Sequence, residues 1–312
     1  MARPLRIAFP GAFYHVTARG NERKAVFKSI RDRQKFLEYL ETATARYNAL
    51  IHAYCLMDNH YHLLLETPSG NLPQIMRHIN GAYTTYFNVK RARAGHLFQG
   101  RYKAIVVQMD AYAKELSRYI HLNPVRAKLA ETPDKYEWSS YNFYIGVKKA
   151  PGWLHRDFIL GYFGDKVSNA QLGYKKFVSL LIARQYDSPL KEVTASVLLG
   201  SQDFIQFIKG SYLSDKKLDR DLPAIRQLGS RITCLEICDM VELEFRQDPV
   251  AARNIKLYLC RKHTGERLRT IGAQFGIGDA AVTQACKRFK LKLEKDRKLR
   301  KKIEQFEKKL FL

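Results

Sequence analysis

Two histidines stand immediately before a run of leucines in the stretch Met57-Asp58-Asn59-His60-Tyr61-His62-Leu63-Leu64-Leu65-Glu66. This run predicts a strand, and because side chains alternate along a strand, we expect His60 and His62 on one face. Two neutral imidazoles held this close could bind a divalent cation or clamp one phosphate, in either case with a third polar group from another element. The alternative is a pair of histidines on a half-buried strand that binds nothing.

The segments around this strand alternate between strand and helix patterns. Residues 50–57 predict a strand that forms a hairpin with residues 60–66 through a turn at Asp58-Asn59. This order of elements predicts an α+β fold of the ferredoxin-like kind, an antiparallel sheet with helices packed on one face. The other predicted elements are a strand at Ala12 to Arg19, a helix at Asp32 to Tyr47 with Phe36, Leu37, Leu40 and Ala43 on one side, a helix at Leu72 to Phe87, a strand within His96 to Gln108 and a helix at Asp110 to Leu122.

The segment from Tyr112 to Pro124 predicts a helix that ends at its proline. Residues four apart share a helix face, so Tyr119 and Asn123 lie one turn apart on the same side. Proline disfavours the helical conformation in the residue before it, so we expect Asn123 at the helix end with its amide free to act as a ligand. The alternative is that Tyr119 is only an aromatic residue of an amphipathic helix.

The positive charge of the chain is concentrated at its two ends. The 312 residues carry a formal net charge of +24. Residues 1–150 contain 23 Lys and Arg against 11 Asp and Glu, residues 151–250 contain 13 of each kind, and residues 251–312 contain 18 against 6. Two basic modules around a neutral one predict two separate nucleic-acid contacts, because Lys and Arg dominate binding to phosphate. General basicity for solubility would not leave the middle neutral.

Composition also bears on the cellular compartment. We find no run of about eighteen apolar residues and no apolar leader with a cleavage site, and we expect a cytoplasmic, nucleoid-associated protein. The five cysteines fit that compartment. Cys234, Cys238, Cys260 and His263 could be combined into a zinc site, but burial as separate thiols is the more common fate of such cysteines.

Four motifs follow one another in the first half of the chain: Phe9 to Asn21, His60-Tyr61-His62, Gly100-Arg101-Tyr102-Lys103, and Tyr119 to Ala127. Together they resemble the HUH single-tyrosine transposases of the insertion-sequence type, and among these the REP-associated tyrosine transposases. The resemblance runs from about Arg3 to Gly146. One position departs from the pattern, because Tyr61 stands where the family formula asks for a bulky hydrophobic residue.

This resemblance implies the HUH form of the ferredoxin-like fold and a set of reacting residues. Tyr119 would attack a phosphodiester of single-stranded DNA beside a hairpin, leaving a 5′-phosphotyrosine and a free 3′-hydroxyl. His60, His62 and Asn123 would hold Mg²⁺ or Mn²⁺, which withdraws charge from the phosphate and orients it. The covalent link conserves the bond energy, so we expect no nucleotide cofactor, and no membrane partner either.

Basic and aromatic residues lie beside the four motifs, as expected of a groove for single-stranded DNA. We expect aromatic faces to stack on bases while cations follow the phosphates. The candidate cations are Arg19, Arg101, Lys103, Arg118 and Arg126, and the interleaved aromatics are Tyr14, Phe98 and Tyr102.

Two other functions remain open at this point. The module could be a non-catalytic DNA-binding regulator that uses the same fold to recognise hairpins, or a metal-dependent nuclease that uses water as its nucleophile. A covalent protein–DNA adduct would separate the three functions. A monomer and a homodimer are both compatible with the sequence.

The remainder of the chain divides into a helical connecting region, residues 151–250, and a basic module, residues 251–312. In the latter, Leu268 to Cys286 has the spacing of a helix-turn-helix with Gly276 at the turn and a small core of Ile271, Phe275, Ile277 and Val282. It resembles the C-terminal DNA-binding domain of the replication initiator DnaA, although Ala280-Ala281 stand where that family places polar base-reading residues. We expect duplex DNA to be contacted by Thr283, Gln284, Lys287 and Arg288, and the basic run to Lys309 to continue the helix along the phosphates.

Overall fold

The computed structural model describes residues 7–182, 184, 187–213, 233–246, 248–264, 266 and 268–310. The chain packs as two compact units, one within residues 6–212 and one within residues 213–312. Residues 151–212 thus lie in the first unit. The three-part division at residues 150 and 250 stays a prediction about domains.

The first unit is built on a five-stranded sheet. Its strands are β1 (Ala12–Arg19), β2 (Leu50–Met57), β3 (His60–Thr67), β4 (Lys103–Val107) and β5 (Leu198–Leu199), in the order β2-β3-β1-β4-β5. The pairs among β1 to β4 are antiparallel, which confirms the predicted sheet, and β5 pairs with β4 in parallel. The otherwise helical extension therefore contributes one short strand to the sheet.

Helices cover both faces of this sheet. On one face lie α1 (Ile30–Tyr47) and α2 (Leu72–Lys90): the Phe36 ring is 4.8 Å from the Tyr61 ring, whose hydroxyl donates to Asn80 Oδ1 at 2.7 Å. On the other face lies α3 (Met109–Arg126), whose core residues include Leu116 and Ile120. The prediction that helices pack on one face is therefore wrong. The unbroken apolar run in β3 has to bury side chains on both faces, and a second layer of helices provides the cover.

A buried carboxylate ties α1 to α2. Ser29 caps α1 by accepting from the Asp32 backbone N–H. The Asp32 side chain is fully buried and accepts from Lys90 Nζ at 2.9 Å and from an Arg91 guanidinium nitrogen. Burial by itself would raise the pKa of Asp32, but these hydrogen bonds, with those from Lys28 N and Ser29, lower it to about 2.

The outer edge of β2 is covered by the chain that follows α3. Leu56 N donates to Trp138 O at 2.8 Å, and Ser140 N donates to Tyr54 O at 3.0 Å. A sheet edge left bare would offer its unpaired backbone groups to other chains, so this cover protects β2, the strand paired with β3.

The chain that follows α3 packs against it. A short helix, α4 (Tyr141–Tyr144), comes first, and the extension after residue 150 then contains α5 (Asp157–Leu160), α6 (Val167–Ser179) and α7 (Gln202–Tyr212). His121 is fully buried, with Nδ1 2.7 Å from the Tyr174 hydroxyl and Nε2 2.7 Å from Ser140 Oγ, and the Tyr174 hydroxyl donates to Ser117 Oγ at 2.9 Å. This network fixes α6 against the helix that carries Tyr119.

The second unit contains five helices within its described residues. They are α8 (Cys234–Glu244), α9 (Pro249–His263), α10 (Leu268–Phe275), α11 (Asp279–Lys295) and α12 (Arg297–Lys309). Gly276 joins α10 to α11 with φ +66°, as its predicted place at the turn requires. Ile271 and Val282 are fully buried in the core, and Phe275 and Ile277 pack partly buried against it. The basic run does not form one helix, because it breaks at Asp296 between α11 and α12.

Over the part of the chain that the structure describes, no helix is both long enough and apolar enough to cross a membrane.

Candidate active site

The histidine pair lies on β3, on the sheet face that α3 covers. A turn at Asp58-Asn59 begins β3, so His60 is its first residue and His62 follows on the same face. Between them, Tyr61 points to the opposite face, where it is fully buried and bonded to Asn80. A tyrosine is compatible with this position because its ring fills the core and its hydroxyl has a partner.

The Tyr119 side chain faces this pair from α3. Its ring is edge-on to the His62 ring, with centroids 5.8 Å apart and planes at 81°. Within the described residues, the Tyr119 hydroxyl has no hydrogen-bond partner, and the side chain is half-buried. The sheet and helix thus bring together a tyrosine and two histidines from parts of the sequence about sixty residues apart.

A third histidine belongs to the site and was missed by the sequence analysis. His15 lies on β1, and its Nε2 is 3.0 Å from His62 Nδ1. Its ring is also edge-on to Tyr119, with centroids 6.1 Å apart. The signal available in the sequence was alternation along β1, which puts His15 on the same face as Phe13, but only strand pairing brings that face beside His62.

Asn123 is not at the helix end. The prediction that Pro124 stops the helix is wrong, because α3 continues to Arg126. A proline fits the helical φ, and the turn around it stays bonded through Ala127 N to Asn123 O at 2.9 Å. The Asn123 amide is not wholly free either: its nitrogen donates to Tyr119 O at 2.9 Å, which leaves the carbonyl oxygen as the atom that could bind a metal.

Burial keeps the histidines of the site uncharged. It lowers the pKa of His15 to about 4, and burial together with the positive charge of Arg19 lowers the pKa of His60 to about 4. The pKa of His62 falls well below its ordinary value, because of burial and the neighbouring His15, His60 and Arg19. At neutral pH these rings are in the form that metal ligands require.

His60, His62 and Asn123 offer donor atoms of the kinds that bind a divalent cation, two imidazole nitrogens and one amide oxygen. Asn59 Oδ1 can only accept, so His60 Nδ1, 2.7 Å away, carries its proton and the lone pair lies on Nε2. No group of three His, Cys, Asp or Glu side chains able to hold a metal occurs among the described residues. The candidate set is compatible with that finding, since its third member is the carboxamide of Asn123.

The predicted DNA-contacting cations of the first unit have different surroundings. Arg19, opposite His60 in the strand pairing, is exposed, and so are Arg101, which precedes β4, and Lys103, the first residue of β4. The Arg126 guanidinium lies 5.1 Å from the Tyr119 ring centroid. Arg118 instead stacks on the Phe177 ring at 3.8 Å and donates to Phe177 O. That contact ties α3 to α6.

The three aromatics expected to stack on bases are inside the protein. Tyr14 is fully buried and donates its hydroxyl to Ile7 O at 2.9 Å, and Phe98 and Tyr102 are each 7 % exposed. Their proposed role in stacking is therefore wrong, because an aromatic face packed in a core cannot meet a base.

The predicted contacts of the second unit lie along α11. Gln284, Lys287 and Arg288 are exposed, whereas Thr283 is half-buried and donates its hydroxyl to Asp279 O at 3.1 Å. Val282, Cys286 and Phe289 point into the core, so the exposed residues share the outer side of the helix.

The cysteines of the second unit are free thiols. Cys234, Cys260 and Cys286 are buried, Cys238 is half-buried, and His263 contacts Glu307 at 2.9 Å. This agrees with burial as thiols, the reading preferred from the sequence.

Comparison with known proteins identifies the segment that carries this site. Residues 9–123 match the family model described as IS200-like transposase. This segment belongs to the IS200-like transposase family. The matched range includes β1, the hairpin of β2 and β3, and α3 as far as Asn123.

Other matches concern DnaA proteins and solved structures. The chromosomal replication initiator protein DnaA of Nautilia profundicola is 30 % identical over 142 residues, 41 % of this chain and 33 % of that protein. DnaA of Porphyromonas gingivalis strain ATCC 33277 is 28 % identical over 119 residues, 37 % of this chain and 25 % of that protein. The chain thus spans a third or less of these DnaA proteins.

Two solved structures are similar to part of the chain. One is a REP-associated tyrosine transposase bound to a REP hairpin, at 14 % identity and a TM-score of 0.41, covering 50 % of this chain and 92 % of that one. The other, from Deinococcus radiodurans R1 and described as a transposase, has 17 % identity and a TM-score of 0.27, covering 38 % and 95 %.

Proposed function

We propose that the protein is a metal-dependent single-stranded DNA endonuclease and strand transferase that acts through a covalent phosphotyrosine. The observation that carries the proposal is the edge-on approach of Tyr119 to His62 within a segment of the IS200-like transposase family. A tyrosine hydroxyl beside two neutral imidazoles supplies a side-chain nucleophile together with nitrogen atoms that could bind an activating cation.

In the proposed reaction, Tyr119 Oη bonds to the phosphorus of a DNA phosphodiester as the bond to the 3′-oxygen breaks. The phenolic proton is lost, the 3′-oxygen takes up a proton, and the products are a 5′-phosphotyrosine and a free 3′-hydroxyl. The neighbouring Arg126 guanidinium favours the charge that develops on the phenolic oxygen. Attack of a 3′-hydroxyl on the phosphotyrosine reverses the step and joins strands, so no nucleotide cofactor is needed.

His60, His62 and Asn123 would hold the cation. A bound Mg²⁺ or Mn²⁺ would withdraw charge from the scissile phosphate and orient it for in-line attack. Two imidazoles and an amide carry no net charge, so binding without DNA should be weak, and Mn²⁺ should serve at least as well as Mg²⁺ because it accepts nitrogen ligands more readily.

The DNA partners follow from the cations and helices of each unit. Arg19 pairs with His60 across β1 and β3, and Lys103 lies on β4 at the other side of β1. Both are exposed, as is Arg101, and they suit the backbone of a single-stranded or hairpin substrate. In the second unit, α10 and α11 with their turn suit a helix-turn-helix that contacts duplex DNA through α11. The likeness to the replication initiator DnaA supports a DNA-binding role for this chain.

A covalent adduct assay tests this function. The full chain is incubated with Mn²⁺ and a single-stranded oligonucleotide that folds into a hairpin with flanking single strands, labelled at either end, and analysed on a denaturing gel. The proposal expects label from the 3′ side of the cut to migrate with the protein. Cleavage without adduct would indicate a hydrolytic nuclease, and binding without cleavage would indicate a regulator.

A further inference from the structure

The contact between His15 and His62 limits where one proton can lie. Their Nε2 and Nδ1 atoms are 3.0 Å apart, the side chains are 2 % and 6 % exposed, and the ring planes differ by 10°. Two ring nitrogens at this distance share one hydrogen, because two facing lone pairs would repel and neutral rings carry only one N–H each. The hydrogen belongs either to His15 or to His62.

The two positions of this hydrogen have opposite consequences for metal binding. If His15 Nε2 carries it, a neutral His62 has its own proton on Nε2, and that nitrogen has no lone pair to offer. If His62 Nδ1 carries it, the hydrogen is donated to His15, and His62 Nε2 is free to bind a metal. The corresponding arrangement at His60 is already imposed by Asn59, whose Oδ1 can only accept.

We propose that His15 is a positioning residue: it accepts the hydrogen of His62 Nδ1 and so holds His62 in the tautomer that binds the metal through Nε2. The inference rests on the proposed function. It assigns to β1, through His15, the same task that the hairpin turn performs through Asn59, so that both ligands offer the same ring nitrogen.

The proposed tautomer leaves one buried N–H group of His15 without a hydrogen-bond partner. With the shared hydrogen on His62, the remaining proton of His15 lies on Nδ1, an atom that is buried and has no hydrogen-bond partner among the described residues. An unpaired buried donor is unfavourable. A cation bound at His62 Nε2 would require the same tautomer of His62 and would offset that penalty.

The test compares two carboxamide variants of His15 that differ in reach. Glutamine can place an oxygen near the position of imidazole Nε2, where it accepts from His62, whereas asparagine reaches only the position of Nδ1. Mn²⁺ affinity of the full chain without DNA is measured from the electron paramagnetic resonance signal of free Mn²⁺. We expect His15→Asn to weaken binding about 10- to 100-fold and His15→Gln to stay within about threefold of wild type.

A second measurement reads the tautomer directly. Nitrogen-15 shifts of His62 in the Mg²⁺-loaded full chain should show a protonated Nδ1 in wild type and His15→Gln, and a mixture in His15→Asn. Tyr14→Phe is the matched control, since Tyr14 immediately precedes His15 on β1 but faces the opposite side of the sheet. It should leave both readouts unchanged.

Equal Mn²⁺ affinity in His15→Asn and His15→Gln, with both variants folded by circular dichroism, would overturn the inference. If wild type and His62→Ala bind Mn²⁺ equally, the metal site of the proposed function fails as well, and His15 has no ligand to position. The two failures are distinguishable because the first leaves the effect of His62→Ala intact.

Discussion

The Tyr119 ring stands edge-on to the His62 ring at 5.8 Å between centroids, although one residue lies on a helix and the other on a strand. This relationship depends on the packing of α3 against the sheet face that carries the histidines. The same helix is also fixed through its own residue His121, which is hydrogen-bonded to Tyr174 and Ser140. A residue of the extension therefore supports the helix that presents the nucleophile.

Replacing Tyr119 by phenylalanine should abolish the covalent adduct and reduce cleavage by roughly 10³-fold or more, because only the attacking oxygen is removed. Hairpin binding should stay near wild type. Tyr112→Phe is the control on the same helix: its hydroxyl donates to Glu192 Oε2 at 2.6 Å, away from the histidines. An adduct that persists in Tyr119→Phe and disappears in Tyr112→Phe would show that the wrong tyrosine was chosen.

Removing a metal ligand should slow cleavage in proportion to what the ligand contributes. His60→Ala and His62→Ala should each lose most of the activity. Asn123→Ala should lose less and recover partly in Mn²⁺, because an amide oxygen is a weaker contributor that water can replace. Rates measured against Mg²⁺ and Mn²⁺ concentration test this ranking. Undiminished cleavage in EDTA would exclude the metal from the mechanism.

Asp32 should make the first unit sensitive to acid. Its pKa in the folded chain is about 2 against an ordinary 3.8. A lowered folded-state pKa adds stability that is complete above the ordinary value and is lost as pH falls through the folded value. Asp32→Asn should therefore lower the free energy of unfolding by roughly 2 kcal/mol at pH 7 and remove part of its slope between about pH 4 and pH 2.

Urea unfolding of wild type and Asp32→Asn at several pH values measures this slope. Lys148→Gln, which removes an exposed ion pair with Glu137, serves as the control and should change little. Parallel pH profiles for wild type and Asp32→Asn would contradict the prediction.

Tyr174→Phe should destabilise the first unit by about 1 to 3 kcal/mol, because it leaves buried His121 and Ser117 without the hydroxyl that joins them. The reaction chemistry should survive at temperatures where the variant is folded. Thermal unfolding followed together with adduct formation checks both statements. A fall in adduct at low temperature, without a fall in stability, would mean that Tyr174 acts on the site in another way.

The two units should bind different nucleic acids. A truncation after residue 212 should lose salt-sensitive duplex affinity and keep cleavage of a short hairpin substrate. A cut at residue 250 would be unsuitable, because Cys234 and Ile237 of α8 share a core with Ile255 of α9. Loss of hairpin cleavage in a folded 1–212 chain would mean that the second unit helps to form the active site.

Point variants test the same division in the full chain. Lys287→Ala and Arg288→Ala should each reduce the salt slope of duplex binding by roughly 1 and leave hairpin cleavage unchanged. Anisotropy titrations at two salt concentrations provide the slopes. Lys191→Ala, on the first unit and paired with Asp187, is the control.

The sequence by itself determined strands β1 to β3, the main helices of the first unit and two sides of the site. Alternation along β3 was enough to put His60 and His62 on one face, and helical spacing was enough to align Tyr119 with Asn123, because both are properties of a single element. The turn at Gly276 was predicted for the same reason, since the demand for a positive φ is local.

Only the tertiary structure decided what meets across elements. The pairing of β1 with β3 brought His15 to His62. The packing of both sheet faces buried Tyr14, Phe98 and Tyr102, whose positions among the basic residues of the motifs had suggested base stacking. Arg118, which was predicted to contact DNA, likewise packs on the Phe177 ring. Contacts of this kind depend on which distant segments share a core, and no local period in the sequence encodes that choice.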